Sequence, residues 1–154
     1  MIGSFPDQPR FTVVLADDDE QVRDAMAALF DDHPRLRVVG SAGSGSGAAM
    51  LCAGLLPHLA VVDVMMPTGG VEAIEAIHAA SPATIVVAYT ARRDRRTRDR
   101  LLAGGAAAVF TKGITSDLAG ALDELAAATS SQTSGSMATS GPDEITSSMP
   151  HDCV

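Results

Sequence analysis
The chain has 154 residues, 46% of them apolar and only 3% aromatic, with a formal net charge of −8. That is enough apolar chain for one globular domain with its own core. The acidic balance argues against general nucleic-acid binding, and the two cysteines, Cys52 and Cys153, form neither a metal-ligand motif nor a disulfide framework.

Residues 1–10 hold two prolines and no apolar core, so they read as a flexible leader rather than a signal peptide. Phe11 to Ala16 is a nearly continuous apolar run, the pattern of a strand buried on both faces, and it ends on Asp17-Asp18-Asp19. A helical pattern follows, with Val22, Met26, Leu29 and Phe30 on one face, Asp19 as its N-cap and Pro34 beyond its end. Leu36 to Gly40 reads as a weaker second strand. The Gly/Ser-rich stretch from Ser41 to Gly47 opens a short helix carrying Met50, Leu51, Leu55 and Leu56.

A third strand, Leu59 to Asp63, delivers a carboxylate to its end, and Pro67, lacking an amide hydrogen, stops the ladder. No membrane span is expected, because the most apolar twenty residues, Gly47 to Met66, contain Pro57, His58 and Asp63. The expectation is a soluble, cytoplasmic protein. After the loop from Pro67 to Gly70, Val71, Ile74, Ile77 and His78 fall at helical spacing until Ser81-Pro82 breaks the pattern. Thr84 to Tyr89 is the fourth strand and terminates at Thr90. Asp94 to Ala103 is predicted helical, with Gly104-Gly105 as its stop.

Ala107 to Phe110 is a short fifth strand ending at Thr111-Lys112. Thr115 or Ser116 can cap a last helix with Leu118, Leu122 and Leu125 on its apolar face. From about Thr129 the pattern dissolves into Ser, Thr, Gly and Met, so 129–154 is expected to be a disordered tail. Strand and helix alternate five times, which implies a parallel sheet with helices on both faces over 11–128 and no second domain.

Asp17 and Asp18, Asp63, Thr90 and Lys112 each follow a predicted strand, so the alternation places them on one rim of the sheet. Any one of them alone reads as a turn, a cap or a solvated charge. Together they are harder to dismiss, since Lys112 is the only lysine beside ten arginines. Two like charges 4 Å apart cost about 4 kcal/mol at an effective dielectric near 20, so three carboxylates require a counter-charge. Hard oxygen ligands suit Mg²⁺, and a carboxylate nucleophile can accept a phosphoryl group. A metal, the Thr90 hydroxyl and the Lys112 ammonium would then hold that group on Asp63.

Leu15 to Asp19, Val61 to Pro67, Tyr89-Thr90-Ala91, and Gly105-Ala106 leading to Phe110-Thr111-Lys112 carry a resemblance. In order and spacing, Phe11 to about Ala128 resembles a bacterial two-component response-regulator receiver domain of the chemotaxis-regulator type. The resemblance implies a flavodoxin-like five-stranded sheet of order 2-1-3-4-5. It implies that Asp63 is the phosphoacceptor, Asp18 a direct Mg²⁺ ligand and Asp17 a ligand through water, with the backbone carbonyl of Met65 completing the metal site. Thr90 and Lys112 would bind the phosphoryl oxygens. The phosphodonor would be a sensor histidine kinase or a histidine phosphotransfer protein, and the chain a stand-alone signalling switch rather than a metabolic enzyme.

Three departures from the family pattern stand out. Val109 replaces the Tyr or Phe usually found three residues before the lysine, and Gly113 replaces the proline that often follows it. Met65 and Arg92 occupy positions that are usually polar. An apolar Met65 would shield an acyl phosphate from water, so slow self-hydrolysis is expected.

Arg92, Arg93, Arg95, Arg96, Arg98 and Arg100 crowd the stretch after Thr90, with Asp94–Arg98 and Arg95–Asp99 at i,i+4 spacing. The expected partner of this face is an output protein with an acidic patch, in preference to a nucleic acid. Three rival readings remain. Gly43, Gly45 and Ala48 fit G-x-G-x-x-A after a strand, with Asp63 twenty residues on, the pattern of a small dinucleotide-binding domain. A Mg²⁺-dependent phosphohydrolase with an Asp nucleophile lacks its general acid and cap here. A degenerate receiver would act by binding alone.

Overall fold
The computed structural model describes residues 10–66, 70–112 and 117–140, with 130–140 as backbone alone. Pro67, Gly113, the Thr115/Ser116 cap, His151, Cys153 and nearly all of the leader lie outside the described residues, as does 141–154 of the tail. The elements are β1 (Phe11–Ala16), α1 (Glu20–Asp31), β2 (Leu36–Ala42), α2 (Gly45–Leu55) and β3 (Leu59–Asp63), then α3 (Val71–Ala80), β4 (Ile85–Thr90), α4 (Arg95–Ala103), β5 (Ala108–Thr111) and α5 (Leu118–Ser140). All strand pairs are parallel, in the order β2-β1-β3-β4-β5. The fold is therefore the flavodoxin-like one expected.

The strands form because their apolar runs are covered on both faces. Odd positions of β1 (Phe11, Val13, Leu15) pack with Met26 and Phe30 of α1 and Leu118, Leu122 and Ala126 of α5. Even positions (Val14, Ala16) pack with Ala48 and Cys52 of α2, Ile74 and Ile77 of α3 and Leu101 of α4. The alternation of side chains along a strand divides the core into these two layers. Burial of Cys52 also pushes its thiol up to about 11, so it acts as a small apolar residue.

Several helix faces differ from the expected ones. Leu29 on α1 is exposed, as are Met50 (75%) and Leu55 on α2 and Leu56 (65%) just past its end. The face that α2 buries is Gly45, Ala48 and Cys52, because small side chains let the helix approach β1 and α3 closely. At the start of α5, Asp117 Oδ1 accepts the Gly120 N–H at 3.0 Å. The same helix continues to Ser140, so the composition change at 129 falls within it.

Parallel register sets the rim. Ala16 of β1 pairs with Val62 of β3, so the residues that follow, Asp17 and Asp63, are neighbours. Asp63 pairs with Tyr89, and Thr90 with Thr111, placing Thr90 and Lys112 on the same edge. The Lys112 N–H extends this ladder by donating to the Thr90 carbonyl at 2.7 Å.

Candidate functional site
At the carboxyl ends of β1 and β3 the strand order reverses, and open parallel sheets bind ligands there. Asp17, Asp18 and Asp63 each offer one carboxylate oxygen there, all within 4.8 Å of one another. Asp17 and Asp63 are buried, whereas Asp18 faces solvent. Lys112 stands opposite, its Nζ 3.3 Å from Asp63 Oδ1. Met65 also donates its N–H to that oxygen, at 3.0 Å, so the turn after β3 holds the carboxylate in one orientation. Thr90 is buried, and its Oγ1 accepts the Arg92 N–H at 3.0 Å, which leaves the hydroxyl proton for another acceptor.

Asp17 has the most constrained surroundings. Its N–H donates to Ala42 O at 3.0 Å, its carbonyl accepts Arg23 Nη1 at 2.7 Å, and its Oδ1 accepts the Asp19 N–H at 2.9 Å. The remaining oxygen, Oδ2, is buried with no hydrogen-bond partner, alone in this among the described residues. Burial first, then the charge and proximity of Asp63, holds the Asp17 carboxyl above its ordinary range, against the opposing pull of the Asp19 N–H and Lys112. A buried acceptor without a donor, beside two further carboxylates, fits a bound divalent cation with oxygen ligands.

The site residues expected from the sequence thus converge: Asp17, Asp18, Asp63, the Met65 backbone, Thr90 and Lys112 occupy one rim. Two contributors have no counterpart in the sequence reading. One is the Tyr89 ring, 5.1 Å beneath Lys112 Nζ, where the ammonium gains a cation–π contact. The other is Arg23. Its trace in the sequence is a cation about one turn into α1, where the helix dipole disfavours one.

Other expectations are corrected or placed. Asp94 pairs with Arg92 at 3.1 Å rather than with Arg98, whose Nη1 instead donates to Val109 O at 3.2 Å. Val109 is buried in the layer beneath α4. Gly43 in the turn, and Gly45 and Ala48 in α2, follow the edge strand β2, with β1 between that strand and Asp63. His33, His58 and His78 lie apart from the site, binding Asp123, Thr12 and Gly105 respectively.

Residues 13–122 match the family model described as response regulator receiver domain. The chain is similar to protein-glutamate methylesterase/protein-glutamine glutaminase 3 of Myxococcus xanthus, 36% identical over 54% of this chain and 24% of that protein. It is also similar to the response regulator UvrY of Escherichia coli K12, 28% identical over 66% of this chain and 47% of that one. It therefore spans between about a quarter and a half of these relatives. In structure it resembles a two-component response regulator of the LuxR family from Aurantimonas, with a TM-score of 0.73 and 25% identity, covering 77% of this chain and 86% of that one.

Proposed function
The chain belongs to the response regulator receiver domain family, and from that premise we propose that Asp63 is its phosphoacceptor. Receiver domains signal through phosphorylation of an aspartate with Mg²⁺ at an acidic pocket, and the Asp17, Asp18 and Asp63 group is such a pocket. The observation that carries the proposal is the placement of the chain's only lysine 3.3 Å from Asp63, itself grouped with Asp17 and Asp18.

In the proposed reaction, a carboxylate oxygen of Asp63 attacks the phosphorus of a phosphohistidine on a kinase or phosphotransfer protein. The phosphorus–nitrogen bond breaks as the acyl phosphate forms, and the released imidazole keeps the electron pair and takes up a proton. Oδ1 is engaged by Met65 N–H and Lys112, which leaves Oδ2 as the nucleophile. Mg²⁺, when bound, neutralises charge on the transferring oxygens. Asp17, Asp18, Asp63 and the Met65 carbonyl would hold it. Lys112 and the Thr90 hydroxyl then bind phosphoryl oxygens as charge builds there.

The output runs through α4. Thr90 Oγ1 accepts the Arg92 N–H, and Arg92 bonds Asp94, the N-cap of α4, so a turn of the Thr90 hydroxyl bears directly on that helix. Val109 supplies no aromatic rotamer, and the link through the Arg92 N–H and the Arg92–Asp94 side-chain pair carries the change instead. The exposed arginines of 92–100 suit an output protein with an acidic patch.

The test is intact mass after acetyl phosphate and Mg²⁺. Wild type gains one phosphoryl mass, and Asp63→Asn gains none. Labelling of Asp63→Asn to the wild-type level, or labelling that chelation leaves intact, would overturn the assignment.

A further inference from the structure
The glycine-rich turn after β2 and the arginine of α1 meet at the acid site, and neither is used by the chemistry above. Arg23 donates Nη1 to the Asp17 carbonyl at 2.7 Å. Its own N–H donates to Asp19 O at 3.0 Å in the first turn of α1, which fixes where the side chain starts. Gly43 borders the guanidinium closely, since a Cβ built there would stand 3.1 Å from Nη1 and 4.0 Å from Asp17 O. The Asp17 carbonyl and the Asp18 nitrogen share one planar peptide. A bond that pins this carbonyl therefore fixes the base from which both carboxylates project.

We propose that Arg23, seated against Gly43, is a positioning residue that aims Asp17 and Asp18 at the divalent cation. This rests on the reading of the acidic group as a metal site. On this account the glycine at 43 leaves room for a guanidinium, and the chain needs no nucleotide phosphate to explain it. Asp17 Oδ2 is left as the free ligand because every other polar atom of Asp17 is already engaged.

Charge alone and positioning predict opposite signs. A cation beside a metal site repels the metal, so removing Arg23 by electrostatics alone tightens Mg²⁺ binding. Losing a group that orients metal ligands weakens binding, by about 10–100-fold in other sites.

The experiment is calorimetric titration of the full chain with Mg²⁺, alongside melting temperature without metal. Arg23→Met, which keeps length and removes the donor, is expected to weaken Mg²⁺ binding about tenfold. Arg23→Lys, with one donor retained, recovers part of that loss. Gly43→Val, which presses on the guanidinium, weakens binding in the same direction while the metal-free melting temperature stays near wild type. Unchanged or tighter binding in Arg23→Met overturns the proposal. Should Arg23→Met fail to fold, wild-type affinity in Arg23→Lys and Gly43→Val overturns it equally. If wild type itself shows no saturable Mg²⁺ binding, the metal-site reading falls and takes this inference with it. Wild-type binding with unaffected variants removes the inference alone.

Discussion

Burial of Asp17 raises its carboxyl above the ordinary value of 3.8, and the negative charge of Asp63 adds to the shift. The folded chain therefore holds this proton more tightly than the unfolded chain does. Stability from this group is complete below 3.8 and is lost as pH rises through the raised value, so at neutral pH without metal Asp17 costs stability. Asp17→Asn removes the charge and keeps the shape. We expect it to melt a few degrees higher than wild type in chelator at pH 7, at about 2–4 °C per kcal/mol for a chain of this size. Its gain on adding Mg²⁺ falls well below that of wild type. A metal-free Asp17→Asn that melts lower than wild type would contradict this account of the orphaned oxygen.

The helix α4 is held lightly. Leu101 is its one buried residue, and the arginines around it repel one another. A cavity of about 100 Å³ lined by Val64, Val71, Thr97, Arg100 and Leu101 lies between it and the start of α3. Its ends are therefore decisive. Asp94 accepts Thr97 N–H at 2.9 Å, Thr97 Oγ1 at 2.8 Å and Arg92 Nε at 3.1 Å, which together hold its carboxyl well below the usual range. At the far end Gly105 takes φ +119°, and His78 Nε2 meets its carbonyl at 2.8 Å. Asp94→Ala is expected to speed amide exchange across 95–103 while exchange in β1 and β3 stays unchanged, as hydrogen-exchange mass spectrometry can read. Equal protection of α4 in both proteins would mean that packing, not the cap, holds the helix.

Packing of the elements also decides what could be read from residue order. β1 and β3 were legible to the residue because a strand covered on both faces must be apolar throughout and stop where charge begins. The face of α2 was legible only in part: Leu51 packs against the core and Cys52 lies in it, as their apolar character suggests. The large Met50 and Leu55 dominate the pattern yet are exposed, while close approach to the sheet selects Ala48. Asp17, Asp63, Thr90 and Lys112 were legible because parallel register aligns strand ends. Arg23 was not, since a side chain bound to a carbonyl six residues back leaves no periodic mark.

At the scale of the whole molecule, charge is segregated. Six arginines and two aspartates lie within 92–100, in a chain whose net charge is −8, so the remaining surface is the more acidic. The acidic group at the rim draws cations and the arginines of 92–100 suit acidic surfaces, both with strong dependence on ionic strength. The chain also contains no tryptophan and a single tyrosine, and that ring lies 5.1 Å from Lys112 Nζ. With excitation beyond the phenylalanine band, ultraviolet emission thus originates at one fluorophore beside the group that would greet an incoming phosphoryl oxygen. Acetyl phosphate with Mg²⁺ is expected to change that emission in wild type and to leave Asp63→Asn dark to the addition. That change would make Tyr89 an optical gauge of occupancy, with no label to attach.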